Sequence, residues 1–251
     1  MQKPRGMKSN TPFLTAHWKE LTMLNFALEP MVLRSVLPTG LQPDLLDGQA
    51  YASLVAFDFE KVRVGGVPWP GYTRFPEFNL RVYVRCEEAG RRGVFFIREL
   101  VPGRVPALIA RLIYNEPYTA CPMERRAIAH DDGSQTQFTT MALSGRVNQL
   151  QVRVGPGTTC PPPGSPGHWF KEQQWGFGVG RDGELRRYHV DHPTWLVRDV
   201  QEWDYDIDWK SMYGPFWQQQ LAGARPDSVL HAVGSEVSVY PAVSVSRPHF
   251  S

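Results

Sequence analysis

No stretch of the 251 residues forms a long apolar run. Prolines, glycines and charges interrupt every segment that could approach the roughly 20 residues needed to cross a bilayer, so no membrane insertion is expected. A basic surplus is missing too. The 27 Lys and Arg stand against 25 Asp and Glu, for a formal net charge of +2. Arg91 with Arg92, Arg125 with Arg126, and Arg186 with Arg187 are isolated pairs beside turn signals. They read as solvated loop ends, and nucleic acid is not an expected partner. Cysteine is scarce: Cys86, Cys121 and Cys160 are odd in number, scattered and without a C-x-x-C pair. That excludes a disulfide framework and a zinc-ligand pattern and leaves reduced, mostly buried thiols. The opening residues 1–12 (MQKPRGMKSNTP) lack the apolar stretch of about 7–15 residues that a secretory signal requires. A ragged N-terminal tail and a cytoplasmic location are therefore expected, followed by one domain over 13–251.

What is present is mostly strand. Alternating or β-rich apolar runs recur at 14–25, 51–59, 78–86, 94–101, 118–129, 135–144, 150–154, 175–179, 184–190, 194–200 and 229–240. Helical signals are fewer: 30–36, 104–114, and a C-terminal piece at 209–221 broken by Gly214 and Pro215. So many strands with so few helices between them cannot build a doubly wound parallel sheet. The fold class is α+β, β-dominated, as a mainly antiparallel barrel or sandwich with a few short covering helices. Residues 155–167 (GPGTTCPPPGSPG) could pass for a linker, but similar strand patterns flank them on both sides, so they read as a surface excursion within one domain.

The densest segment is 94–118, VFFIRELVPGRVPALIARLIYNEPY. Arg98 and Glu99 are adjacent in an otherwise apolar strand, one on each face of a two-residue period, so at least one charge must point inward. After the helical run come Asn115, Glu116, Pro117 and Tyr118, an amide, a carboxylate and a phenol that suit orienting a small ligand better than filling a core. In 78–85, Asn79, Arg81, Tyr83 and Arg85 share one face and Leu80, Val82 and Val84 the other. An Asn-x-Arg-x-Tyr row fits a carboxylate-binding wall, because guanidinium grips carboxylates bidentately. Periodicity alone does not choose between solvent and a barrel lumen for that row.

Other motifs have plainer readings. Gly178-x-Gly180-x-x-Gly183 matches the dinucleotide pattern, but strands are expected on both sides of it. Asp182-Gly183 reads instead as a type I′ hairpin turn. His189 and His192 flank Asp191, yet in a strand they point to opposite faces, so no metal site is expected. His17 fits a lumen position or an ordinary packed one. There is no G-x-S-x-G elbow. Trp69, Trp175, Trp195, Trp203, Trp209 and Trp217 fit core packing before a ligand wall.

Several strings, in order along nearly the whole chain, resemble one family. They are Phe13-Leu14-Thr15-Ala16-x-Trp18, Gly48-x-Ala50-Tyr51-x-Ser53-Leu54-Val55-Ala56-Phe57, Glu77-Phe78-Asn79-Leu80-Arg81-x-Tyr83-Val84, the run 92–102 (RGVFFIRELVP), Tyr114-Asn115-Glu116-Pro117-Tyr118, Trp175-Gly176-Phe177 and Tyr188-x-Val190-x-His192-Pro193-x-Trp195. The chain resembles the DUF2071, or YqjF-like, family of uncharacterised bacterial proteins. That family is similar in fold to acetoacetate decarboxylase, which implies a cone-like, mostly antiparallel β-barrel with an interior small-molecule cavity. In the decarboxylase a lysine in a segment comparable to 115–119 forms a Schiff base, and here that segment has none. Lys61, expected in a strand-end loop, and Lys171, after the proline-rich excursion, are distant from it in sequence, so Schiff-base decarboxylation is not expected. The resemblance leaves a barrel recognising a small carboxylate or keto-acid-like ligand, with no cofactor. Arg81 or Arg98 would hold the carboxylate beside Asn79 and Asn115. Glu116 or Glu99 would be general base and Tyr118 a proton or hydrogen-bond donor. The alternatives are a buried ion pair of Arg98 with Glu99 or Glu116, a non-catalytic sensor, and an interaction module meeting a partner through Trp69 and Tyr72. A homo-oligomer is compatible with all of them.

Overall fold

The computed structural model describes residues 11–103, 118–180 and 182–245. The expected helix at 104–114 and two candidate site residues, Asn115 and Glu116, lie outside them. In chain order, β1 (Leu14–Leu28) leads through helix α1 (Pro30–Arg34) and β2 (Gln42–Pro43) to β3 (Ala50–Val64), β4 (Val67–Pro68), β5 (Phe75–Cys86) and β6 (Arg91–Val101). Next come β7 (Tyr118–Ala120), β8 (Met123–Ala129), β9 (Gln135–Leu143), β10 (Arg146–Thr159) and helix α2 (Pro166–Lys171). Then follow β11 (Trp175–Val179), β12 (Leu185–Asp191), β13 (Val197–Asp206), helices α3 (Trp209–Tyr213) and α4 (Pro215–Leu221), β14 (Ser228–Val239) and β15 (Val243–Ser244).

Neighbouring strands run β12, β11, β6, β5, β3, β1 and β14, and β14 returns to β12 through Val190 opposite Val239 and Asp191 opposite Ser238. Among the described residues these seven strands close a ring. From β14 the sheet continues outward through β13, β10, β9 and β8. Within the ring only the β6–β11 contact is parallel. The β-dominated, mostly antiparallel architecture with few helices is thus the one the strand pattern implies.

Because side chains alternate along a strand, the ring has two buried faces. Leu24, Phe26, Leu54, Ala56, Phe78, Leu80 and Val82 form the outer one, covered by α3, α4 and parts of the outward sheet. Ala16, Leu21, Met23, Val55, Phe57, Tyr188, Val190 and Val239 line the inner one. Phe78, Leu80 and Val82 are fully buried. At about 1.5–3 kcal/mol for each such side chain, the outer face anchors β5 firmly enough to carry polar residues inward.

Two bulges set which residues face in. In β1 the register shifts between Lys19 and Thr22, and Glu20 has φ +52°. Before it Ala16 and Trp18 face the lumen; after it Leu21 and Met23 do. His17, in the opposite phase, is on the outer face. Gly234 lies across from the bulge, where a Cβ would come within 2.1 Å of the Trp18 carbonyl oxygen. In β6 the register shifts opposite Leu80 and Arg81, bringing Phe96 and Glu99 onto one face although they are three positions apart.

Three local expectations are corrected. Lys61 lies within β3, with φ +53°, and not in a loop. The 155–167 segment is not wholly an excursion: β10 extends to Thr159, and the Pro- and Gly-rich part ends in α2. The 180–184 turn is not type I′. Gly180 N–H pairs with Glu184, Gly183 N–H returns to Gly180, and Gly183, at φ +79°, takes the left-handed conformation while Asp182 does not.

On the outer face between β1, β14 and the outward sheet, the bulge projects Glu20 into a buried polar network. Its Oε2 accepts from Gln137 Nε2 at 2.6 Å, Gln135 Nε2 at 3.0 Å and His231 Nε2 at 2.7 Å, while His231 Nδ1 meets the Thr22 hydroxyl at 3.0 Å. Arg125 closes the network by donating to Asp58 at 2.8 Å, the Glu20 carbonyl at 2.9 Å, Gln137 at 3.0 Å and Thr139 at 3.1 Å.

Candidate functional site

The polar row of β5 faces the lumen. Glu77, Asn79 and Arg81 project inward from consecutive in-phase positions, and Asn79 stands opposite Glu99 of β6, which in turn stands opposite Tyr118 of β7. Glu77, Asn79, Arg81, Glu99, Tyr118, Lys171 and Gln173 share one interior cavity of about 80 Å³, whose remaining wall is largely apolar and aromatic, including Trp18, Phe57, Phe96 and Trp195.

Glu77 gathers the hydrogen bonds on one side: Asn79 Nδ2 donates to its Oε1 at 2.8 Å and Tyr118 Oη to its Oε2 at 3.2 Å. Arg81 is held by Nη2, which donates to the Phe170 carbonyl at 3.2 Å and approaches Met23 Sδ at 3.6 Å. Its carbon Cζ lies 5.7 Å from the centre of the Tyr83 ring. Tyr83 itself is fixed by a 2.7 Å hydrogen bond between its hydroxyl and Ser53. Arg81 Nε and Asn79 Oδ1 are buried with no hydrogen-bond partner among the described residues. A buried polar atom left in that state costs about 1–3 kcal/mol, a cost that a bound polar molecule can recover.

Helix α2 supplies the rest. Pro166 suits its first turn, and the Ser165 side chain caps it by accepting from His168 N–H. Phe170 packs edge-on against Tyr51 and Tyr83, with ring centres 5.0 and 5.4 Å away. Lys171 follows with a side chain that is 0% exposed, its Nζ against the Glu172 carboxylate. His192 belongs to the same neighbourhood. It stacks on Trp195 at 4.2 Å, its Nδ1 lies 3.0 Å from the Pro193 carbonyl, and its Nε2 is buried without a partner among the described residues. Burial depresses its pKa and the Lys171 charge adds to that, against the opposing pull of the Pro193 carbonyl and the Glu172 carboxylate.

The structure therefore brings together Asn79, Arg81, Glu99 and Tyr118. Arg98 is excluded by the β6 bulge: it faces the outer side, where its Nη1 donates to the Met212 carbonyl. A pairing of Arg98 with the adjacent Glu99 is excluded for the same reason. The inward charge of that dipeptide is Glu99. Lys171, set aside in sequence for its distance from 115–119, lines the same cavity as Tyr118. Glu77 and Gln173 also emerge only here. Glu77 could have been found by extending the Asn79–Arg81 row back one step. Lys171 had a weaker sign, a cation directly after the aromatic pair Trp169-Phe170. His189 and His192 occupy separate aromatic clusters, His189 with Trp175 and Tyr240. Among the described residues no three His, Cys, Asp or Glu side chains gather as a metal-binding group, and no helix is long and apolar enough to cross a membrane.

A closed, β-dominated ring around an interior cavity with a polar row on one wall defines the class: the acetoacetate decarboxylase-like fold. Solved structures similar to this chain include the enduracididine biosynthesis enzyme MppR, complexed with the condensation product of pyruvate and imidazole 4-carboxaldehyde (TM-score 0.65, 15% identity, 98% of both chains). An acetoacetate decarboxylase-like enzyme from Sphingomonas wittichii RW1 matches over 97% of both chains (TM-score 0.62, 14% identity). The acetoacetate decarboxylase of Legionella pneumophila matches over 98% of this chain and 92% of its own (TM-score 0.63, 14% identity). Residues 15–236 match the model of DUF2071, a family of uncharacterized conserved proteins, and the chain belongs to that family. The uncharacterized protein YqjF of Bacillus subtilis (strain 168) is 31% identical over 108 residues, which are 43% of this chain and 44% of YqjF's length.

Proposed function

We propose that the ring binds a small carboxylate of the keto-acid kind. The observation that carries this reading is that Arg81 and Asn79 line one interior cavity and each keeps a buried polar atom, Nε and Oδ1, without a hydrogen-bond partner among the described residues. A guanidinium with a free N–H is a carboxylate partner, and a free amide oxygen accepts from a hydroxyl or an acid proton. Size adds a second constraint. A cavity of about 80 Å³ is far below the roughly 300–1,000 Å³ of pockets that take drug-sized ligands, so it suits a small acid. The apolar remainder of the wall suits a short alkyl end. An acid–base enzyme is the reading favoured by Tyr118 beside Glu77: the phenol, turning from the carboxylate it donates to, can give its one proton to a ligand carbonyl oxygen, with Glu99 on the adjoining strand as base. Native mass spectrometry of the purified protein, followed by thermal-shift titration with acetate, propionate, pyruvate and acetoacetate, tests the reading. Saturable stabilisation by these acids, lost in Arg81→Met, is the expected result; an indifferent melting curve across the panel refutes it.

A further inference from the structure

The geometry points to a second recognition element in the cavity wall, an aromatic corner that takes a methylated ammonium group. The ligand class it defines is the small betaines, acids that carry a quaternary ammonium at their far end. This rests on the reading of Arg81 as the carboxylate partner and goes beyond it for the apolar part of the wall.

Three rings build the corner. Trp18 meets Phe57 at 5.2 Å between ring centres and Trp195 at 5.9 Å, with interplanar angles of 60° and 57°. Among the described residues Phe57 and Trp195 make no ring contact with each other, so the three rings bound a recess instead of forming a stack. All three line the cavity, as does Phe59, which lies 6.0 Å from Trp18 and 5.0 Å from Phe57. His192 covers one face of Trp195 at 4.2 Å and 19°, so only the other face is left for the cavity. A cation in the recess falls within about 6 Å of several ring centres, the reach of a cation–π contact.

This group differs from the other aromatic residues in what already sits over them. Trp169, Trp175, Trp203, Phe138 and Tyr83 each have an arginine over the ring, at distances from 4.1 to 5.7 Å. Among the described residues no guanidinium lies over Trp18, Phe57, Phe59 or Trp195. The chemistry of the corner selects the methylated form of an ammonium. A primary ammonium brings three N–H donors, and the rings offer them no acceptor: an indole nitrogen only donates, and that of Trp195 already donates to Ser235 Oγ at 2.7 Å. A trimethylammonium has no N–H to satisfy. Glu77, on the same cavity wall, supplies compensating charge. Both its oxygens accept hydrogen bonds, from Asn79 and Tyr118, as those of an ionised carboxylate do.

The test compares two ligands of one shape. Trimethylglycine and 3,3-dimethylbutyrate differ in having a charged nitrogen or a neutral carbon at the branch point, so their difference in affinity reads the cation alone. Calorimetric titration of the purified protein should show trimethylglycine binding about tenfold tighter. Glycine, the primary ammonium, should bind more weakly than trimethylglycine. Trp18→Leu and, separately, Phe57→Leu should bring the ratio of the two isosteres toward one, and the unaltered protein decides the matter even if these variants fold poorly. Equal affinities, tighter binding of 3,3-dimethylbutyrate, or a ratio that both folded variants leave unchanged overturns the inference, as does a failure of trimethylglycine to bind. If 3,3-dimethylbutyrate and propionate still bind through Arg81 in that case, the carboxylate reading survives alone; if no acid binds, both fall.

Discussion

The Arg81 guanidinium donates to the main-chain carbonyl of Phe170 at 3.2 Å, so a strand of the ring directly holds the helix residue that precedes Lys171. One side chain thereby lines the cavity and tethers the backbone of the residue before Lys171. Replacing it with methionine keeps the aliphatic bulk and removes both roles. Hydrogen bonds to charged groups contribute about 1.5–3 kcal/mol, so Arg81→Met should weaken pyruvate binding at least about tenfold by calorimetry. An unchanged affinity would place the carboxylate elsewhere.

Glu77 holds two donors, Asn79 Nδ2 and Tyr118 Oη, in the lumen. In Glu77→Gln the carboxylate becomes an amide with a single acceptor oxygen. A stability loss of about 1–3 kcal/mol in urea is expected, with Tyr118 freed from its position. The readout is the denaturation midpoint, together with any change in tyrosine fluorescence.

Acid should destabilise the fold above the carboxylate range. His231 has a pKa held below its usual 6.5 by burial, despite its bond to Glu20, and His192 is depressed by burial as well. The Thr22 hydroxyl at Nδ1 and Glu20 at Nε2 fit a neutral, Nε2-protonated ring at position 231. Both histidines therefore take up protons more readily when unfolded. Their contribution is complete above pH 6.5 and is lost as pH falls through the depressed folded values. Glu20 continues the loss at lower pH: burial raises its pKa, but the bond to His231 and the charges of His231 and Arg198 outweigh it and leave the value below 4.5. Urea midpoints should drop between pH 7.5 and 5.5, and less so in a His192→Gln, His231→Gln double variant. A flat profile in the unaltered protein would contradict this.

Thiol reactivity should divide sharply. Cys160 is exposed, whereas Cys86 and Cys121 are buried and burial raises the Cys121 pKa. One thiol should react quickly with Ellman's reagent in the native protein and two only after unfolding.

Gly176 is required by Tyr188. A Cβ at 176 would lie 2.1 Å from Cζ of that ring, in a strand pair that also walls the cavity. Gly176→Ala should cost about 1–3 kcal/mol and disturb ligand affinity together with stability. An alanine variant as stable as the parent would mean that the ring can move aside.

The period of two in β5 made Asn79 and Arg81 visible in sequence as one face, and the scarcity of helices made the β-dominated class visible. What alternation could not show was phase across irregularities. The β6 bulge decides that Glu99 enters the cavity and Arg98 leaves it, and the β1 bulge does the same for Trp18 against His17. Both depend on pairing with partner strands. Lys171 was hidden for another reason: its proximity to Tyr118 is created by ring closure between segments more than fifty residues apart, which no local pattern records.

The Pro- and Gly-rich segment before α2 now has a mechanical meaning. The ring strands share their hydrogen bonds with two neighbours, so altering one disturbs the rest, whereas α2 is a six-residue insert hung between β10 and β11. Lys171 and Gln173 reach the cavity from this insert, while Arg81 is built into the frame. Residues 160–174 contain no ring strand, so the part of the wall they supply can be exchanged without breaking a strand pairing, which makes them a natural cassette for redesign.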